Sequence, residues 1–205
     1  MGRTPMKLED RDRARARILA AAGVVFSRDG FERARIDAIA AEAGVSTGSV
    51  YNYFAGKAAL MLDLHQQSLD AANADVEGLV AGPGPFTQKL DDYLGHFFRF
   101  TRENQAFLAI LRDSPHLLQL SPPHAQDQTR RIMALVERHV ELVTDLLRAG
   151  IEEGVLGPSD PHVLASALMG VTRSLVLLGA DARLADAADM VALVRRLFLD
   201  GARAR

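Results

Sequence analysis

Ile36-Asp37-Ala38-Ile39-Ala40-Ala41-Glu42-Ala43-Gly44-Val45-Ser46-Thr47-Gly48-Ser49-Val50-Tyr51-Asn52-Tyr53-Phe54 is the stretch whose reading decides the fold. Ile36, Ile39, Ala40 and Ala43 recur at the spacing of one helix face. Gly44 then stands where the chain must reverse tightly, and Ser46 is a good N-cap for a second short helix from Thr47 to Phe54. Two short helices joined by such a turn form a helix-turn-helix. On the second helix Val50 and Phe54 are needed inside, so Thr47, Ser49, Tyr51, Asn52 and Tyr53 point elsewhere. That outer face holds donors, acceptors and aromatic hydroxyls, which suit phosphate oxygens and base edges in a major groove. The N-terminal end of the helix adds a positive dipole toward phosphates. Spacing alone also fits a capped surface helix in an arbitrary bundle.

Upstream, Ile18, Ala21, Ala22, Val25 and Phe26 trace a helix that Asp29-Gly30 stops. Downstream, Ala55-Gly56-Lys57 breaks the second short helix, and a fourth helix begins with Leu60 and Leu64 facing inward. Ala81-Gly82-Pro83-Gly84-Pro85 is the clearest linker, since neither Pro nor Gly sustains a helix interior. Beyond it the rhythm predicts a helix through Leu90, Tyr93, Leu94, Phe97 and Thr101. A short one follows through Phe107, Leu108 and Leu111, ending at Ser114-Pro115. After the loop at Ser121-Pro122-Pro123, a long helix runs from about Thr129 to Glu153-Gly154. Asp160-Pro161 supplies a cap and a first-turn Pro for a helix ending at Gly179, and the last helix closes at Gly201. No segment alternates with period two, so the predicted fold is all-α, with about nine helices and no sheet.

The chain's 205 residues, 48% hydrophobic and 24% charged, can bury a core without staples. The absence of Cys excludes disulfides, thiolate zinc sites and thiol catalysis. The start leads into charge from Glu9 to Arg17 and not into an apolar core, so the expectation is a cytoplasmic protein without a secretory signal. The apolar stretch from Val163 to Gly179 carries Arg173 and falls short of the roughly 20 residues of a membrane span. It reads as a buried helix of a soluble protein. Charge divides unevenly. Through Lys57 there are ten Lys/Arg against seven Asp/Glu, and thereafter fourteen against nineteen, so a head of +3 precedes a body of −5. A basic head suggests that this end meets a polyanion, ordinary surface scatter being the alternative.

Residues 36–54, followed by Lys57 and Leu60, resemble the DNA-binding domain of the tetracycline-repressor (TetR/AcrR) family, over about Arg11 to Leu64. The resemblance implies an all-helical homodimer with an N-terminal three-helix DNA-binding domain. It also implies a variable C-terminal domain that binds a small effector and dimerises through its last two helices. Residues 1–57 then form the arm and DNA-binding domain and 58–205 the effector and dimerisation domain. Carried over, the operator contacts fall on Thr47, Gly48, Ser49, Tyr51 and Tyr53, with Lys57 as a phosphate contact. Ser46, which caps the same helix, and Asn52, between the two tyrosines, complete the expected DNA-binding set with Arg35. Arg35 stands where the family usually has a capping Ser or Thr, though an arginine can pair with phosphate. Thr47 replaces a common Lys. The basic leader, with Arg3, Lys7, Arg11, Arg13, Arg15 and Arg17, is either an arm reaching a flanking groove or a solvated tail.

The body resembles the family only generally, chiefly in Ala149-Gly150-Ile151-Glu152-Glu153-Gly154. Five of the twelve aromatics, Tyr93, Phe97, Phe98, Phe100 and Phe107, fall within fifteen residues. They line an apolar effector pocket or form plain core. As a pocket, Tyr93, Phe97, Phe98, Thr101, Phe107 and Leu111 would face Met133, Glu137, Val140 and Thr144 of the long helix. Arg112, Glu137, His139 and Arg173 are polar residues amid apolar runs, each either an anchor for an effector's polar group or half of a surface pair. The helix from Val163 to Leu178 is apolar nearly all round and needs cover on both sides, from a partner subunit or from its own. The expected dimer surface is Val163, Ala167, Gly170 and Ser174, with Met190, Val194 and Phe198 of the last helix.

The sequence therefore reads as a regulator, by resemblance a repressor, whose partners are an inverted-repeat duplex, a hydrophobic or amphipathic effector and a second copy of itself. No cofactor or metal is expected. The alternative is a helical protein-interaction module without DNA binding. Catalysis has no support: there is no H-E-x-x-H, G-x-S-x-G or Gly-rich phosphate loop, and no two of the six His lie at i, i+4.

Overall fold

The computed structural model describes residues 8–103, 126–179 and 187–202. Eight helices run through them: α1 Leu8–Asp29, α2 Ile36–Ala43, α3 Thr47–Tyr51, α4 Lys57–Ala81, α5 Phe86–Glu103, α6 Gln126–Glu152, α7 Pro161–Gly179 and α8 Ala187–Ala202. No sheet occurs among the described residues. The short helix expected at Phe107–Leu111 lies outside them, as do Arg3, Lys7, Arg112 and the loop at Ser121-Pro122-Pro123. That leaves eight where about nine were expected. Two expected helix bounds change. The charged stretch from Leu8 to Arg17 is the opening of α1 and not an arm or tail, and α3 gives way after Tyr51 to tighter turns in which Tyr53 and Phe54 N–H both bond to Val50 O.

Three apolar clusters organise the chain. Ile18, Ala22, Val25 and Phe26 of α1 close on Ile39 and Ala40 of α2, Val50 of α3, Phe54, and Leu60 and Met61 of α4. A second cluster joins Val76 of α4, Phe86, Leu90, Tyr93, Leu94 and Phe98 of α5, and Leu142, Val143, Leu146 and Leu147 of α6. Ala165, Leu168 and Val176 of α7 and Val194 of α8 complete it. Between them Leu62 and Leu69 of α4 meet Ile132 of α6, with Phe100 and Leu135 alongside. Each fully buried aliphatic or aromatic side chain contributes roughly 1.5–3 kcal/mol. α4 therefore belongs to both cores, and its longest contact is with α6.

The segment from Ala149 to Gly154 explains how the body is pinned. Gly150 faces the ring of the fully buried Phe86, where an added Cβ would lie 2.8 Å from Cγ. Glu153 reaches across, and its carboxylate accepts the Phe86 N–H at 2.9–3.0 Å, satisfying an orphan donor in the first turn of α5. Gly154 turns left-handed (φ 71°), with Val155 N–H bonding back to Gly150 O at 3.0 Å. At the other end of the loop Asp160 caps α7 by accepting from His162 N–H at 2.8 Å.

α7 departs from expectation. Pro161–Leu178 is by length and composition long and apolar enough to cross a membrane, with a mean hydropathy of 1.4, so shortness does not argue against a span. Nor is the helix buried all round. Ala165, Leu168, Thr172 and Val176 pack inward, while Val163, Ala167, Gly170, Val171, Ser174 and Leu178 are exposed. Replacing Gly150 with Ala is expected to cost about 1–3 kcal/mol through overpacking against Phe86. A shift of the urea midpoint with unchanged slope would show it, and an unshifted midpoint would mean that Phe86 yields freely.

Candidate nucleic-acid interface

The turn between α2 and α3 is built from backbone geometry. Gly44 is left-handed (φ 64°, ψ 39°), its N–H bonds to Ala41 O at 3.1 Å, and Val45 N–H bonds to Ala40 O at 2.9 Å. These two bonds close a Schellman turn that only a residue at ease with positive φ terminates cheaply. Ser46 is extended, and its Oγ accepts from Ser49 N–H at 3.1 Å and lies 2.8 Å from Ser49 Oγ. Val50 and Phe54 are buried in the first core, which fixes the rotation of α3. The consequence is an outer face of Thr47, Gly48, Tyr51 and Asn52, all exposed. Tyr51 is 57% exposed, a large aromatic that the subunit leaves mostly open to solvent. Ser49 and Tyr53 are half-buried, Tyr53 against the first core.

The flanking basic residues are held in defined poses. Arg35 precedes α2 and makes no side-chain cap; its guanidinium donates to Asp37 at 2.8–3.2 Å, and Asp37 also accepts from Ala38 N–H at 2.8 Å. Asp37 thus serves the first turn in place of a capping Ser or Thr, and the arginine holds its carboxyl below the usual range. Lys57 Nζ donates to Glu32 O at 2.9 Å and lies 4.5 Å from the Phe31 ring centre, fastening the start of α4 to the α1–α2 loop. Arg15, on α1, stands 5.2 Å from the centre of the Phe54 ring and pairs with Asp63 of α4. Neither Asp63 nor Asn73 is among the residues that the sequence singles out. A carboxylate set between Leu62 and Leu64 was the available signal.

In the body, Tyr93 and Phe98 are fully buried, Phe97 and Val140 are half-buried, and Thr101 and Thr144 donate to the helix carbonyls of Phe97 and Val140 at 2.9 and 2.7 Å. Met133, Glu137 and Arg173 stand on exposed faces, while Phe107 and Leu111 lie outside the described residues. A buried polar chain crosses three helices. Asn73 Nδ2 of α4 donates to Leu135 O of α6 at 2.9 Å, which turns Asn73 Oδ1 toward His139 Nδ1, also at 2.9 Å. The ring then places Nε2 3.4 Å from the Tyr93 hydroxyl of α5, a long contact. Satisfying Asn73 assigns the proton to Nδ1 and leaves Nε2 as an acceptor. Burial lowers His139 to about 4 and pushes the Tyr93 phenol up; His65 of α4 is likewise lowered to about 4 by burial. Among the described residues no group of three or more acidic or histidine side chains is placed to hold a metal.

Val163, Ala167, Gly170 and Ser174 share one stripe on the outer side of α7, with Leu178 at 50% exposure continuing it and Leu197 of α8 at 58% exposure. Met190 and Phe198 are half-buried against the second core. Val194 is fully buried within the subunit, so its part in any interface runs through the residues around it.

Helices of this kind, a buried-backed short helix behind a glycine turn with a polar and aromatic outer face, define a DNA-binding helix-turn-helix protein. Residues 18–64 match the family model of bacterial regulatory proteins of the tetR family, and residues 83–177 that of the tetracyclin repressor-like C-terminal domain. The chain belongs to the TetR/AcrR family of transcriptional regulators, which are DNA-binding and ligand-binding proteins and not enzymes. Among curated relatives, the HTH-type transcriptional repressor KstR2 of Mycobacterium tuberculosis is 25% identical over 144 residues, 70% of each chain. The HTH-type regulator YhgD of Bacillus subtilis is 21% identical over 160 residues, 78% of this chain and 80% of the relative. Among solved structures, a TetR/AcrR regulator of Thermobifida fusca (24% identity, TM-score 0.74) covers 94% of this chain and 100% of its own. FadR of Bacillus subtilis, solved in complex with stearoyl-CoA (18% identity, TM-score 0.72), covers 91% and 98%.

Burial lowers His96 too, which adds in the same direction to a pH dependence of stability carried chiefly by His65 and His139. Both have folded values near 4, below the unfolded value of about 6.5, so their contribution is present in full above pH 6.5 and is lost as pH falls from there toward 4. The loss is about 2 kcal/mol for each histidine at pH 5. Thermal melting between pH 7 and pH 5 should show a steep fall that His139→Gln flattens; an identical slope in that variant would mean that His139 is protonated in the fold.

Proposed function

We propose that the chain is a cytoplasmic repressor that binds an inverted-repeat operator as a homodimer and is released by an amphipathic effector with a long apolar part. The observation that carries the DNA-binding reading is the outer face of α3, where Val50 and Phe54 lock Thr47, Gly48 and Tyr51 outward. Thr47 and Ser49 read base edges, while Tyr51, Tyr53, Lys57 and Arg35 position the protein on phosphates. Residues 1–57 serve as the reading head, and the remainder holds the effector and the partner subunit. The repressor name of KstR2 supports the sign of control, and the stearoyl-CoA in FadR supports a fatty acyl thioester as the effector class. The effector is proposed to enter the layer between α5 and α6 beside the half-buried Phe97 and Val140, where Tyr93, Phe98 and Thr144 are buried in the ligand-free subunit. Release of DNA by stearoyl-CoA tests that class; an operator complex indifferent to it, with no heat of binding to the free protein, removes acyl thioesters from consideration.

The open stripe of α7 supports dimerisation, because small residues let two helices approach closely and two-fold symmetry in the protein matches that of an inverted repeat. A Cβ added at Gly170 meets nothing within 4 Å inside the subunit. Gly170→Arg should therefore leave the fold intact, abolish the dimer in sedimentation and weaken operator binding sharply. A sedimenting monomer of the unaltered protein at micromolar concentration would contradict the dimer.

Positioning and readout separate experimentally. Lys57→Ala should weaken binding to all duplexes alike and reduce the slope of log affinity against log salt by about one. Thr47→Ala or Ser49→Ala should cost about 1–3 kcal/mol on the operator and relax selectivity at particular base pairs. Equal losses on operator and random DNA would take Ser49 out of the base-reading set.

A further inference from the structure

We propose that Asp63 is a positioning residue that couples the DNA-reading head to the body, through a latch of Arg15, Asp63 and Gln128. This rests on the reading of the chain as an operator-binding regulator. Asp63 lies on α4 where the first core gives way to the seam between the two cores, one residue after Leu62, which already belongs to the cluster shared with Ile132 of α6. Its carboxylate holds a partner on each side: Oδ2 accepts from Arg15 of α1, and Oδ1 accepts from Gln128 in the first turn of α6. Arg15 in turn covers the Phe54 ring, whose burial fixes the rotation of α3. An unbroken line of contacts, Phe54 to Arg15 to Asp63 to Gln128, thus leads from the recognition helix to the body.

The chemistry of the carboxylate makes the line responsive. The Asp63 side chain is only 16% exposed, and burial raises its pKa even with Arg15 beside it. A carboxylate withdrawn from water is stable only while its donors remain in place. If the first turn of α6 shifts away from α4, Oδ1 loses Gln128; if α4 shifts away from α1, Oδ2 loses Arg15. The two arms report on each other because one side chain on one helix serves both. The latch therefore favours a single relative placement of head and body, and displacement on either side weakens the hold on the other.

The test is amide hydrogen exchange on the full chain, free and bound to the duplex that the unaltered protein selects. Binding should slow exchange over 36–54, the reading head itself, and also over 126–132, the start of α6, by at least about fivefold. Asp63→Asn and Gln128→Ala should keep the protection over 36–54 and lose that over 126–132. A loss of stability alone would speed exchange in free and bound protein alike and leave their ratio unchanged. Should Asp63→Asn fail to fold, Gln128→Ala, at a half-buried position on a helix surface, decides the matter. Undiminished slowing over 126–132 in Gln128→Ala, or none in the unaltered protein despite protection over 36–54, overturns the latch and leaves the regulator reading standing. An unaltered protein that selects no duplex and gains no protection over 36–54 overturns the regulator reading, and the latch with it.

Discussion

One helix, α4, has to satisfy two hydrophobic cores at once, and the rest of the structure is arranged around that constraint. Leu60 and Met61 are committed to the head, Val76 to the body, and Leu62 and Leu69 to the seam between them. At 1.5 Å per residue the two commitments lie about 24 Å apart on one rigid rod. Its start is fastened by Lys57 to the loop after α1, and its later turns are laid along α6. A change in how α6 packs must therefore either break contacts of α4 with the body or tilt the end that carries the head. Packed interfaces prefer discrete arrangements to gradual deformation, which is the property a switch between bound and released states needs.

The polar groups inside the body sharpen the same constraint. Asn73, His139 and Tyr93 come from α4, α6 and α5, and each is oriented by the next. Apolar side chains alone tolerate a helix sliding by part of a turn, whereas an amide and an imidazole buried among them lose their partners on such a slide. The neutral state of His139, enforced by burial, is what lets its ring accept from Tyr93 while donating to Asn73. The three helices are in this way held in one register along their shared seam.

The helix-turn-helix was legible because its signals are local. Gly44 announces a left-handed terminus, Ser46 a cap, and Val50 with Phe54 a buried side, and each is settled within a few residues of chain. The opening of α1 was not legible, since Leu8 to Arg17 has no apolar rhythm and the contacts of Arg15 that order it, with Asp63 and over the Phe54 ring, are made to residues far along the chain. Periodicity placed Tyr93, Phe97 and Phe98 on a helix, yet it carries no information on the side from which α6 approaches. Two of these rings are fully buried and Phe97 only half. The apolar run of α7 suggested burial on all sides. Hydropathy registers that a surface needs covering, and the structure adds that Val163, Ala167 and Gly170 remain uncovered in the single subunit.

The central claim is that the outer face of α3, presented twice by a two-fold dimer, reads a duplex. Recovering the DNA that the full chain retains from a random duplex pool tests it most directly. The account predicts enrichment of an inverted repeat whose half-sites are centred one helical turn, about 34–36 Å, or a multiple of it apart. A pool that stays unenriched through successive rounds, or that converges on an asymmetric single site, would contradict it.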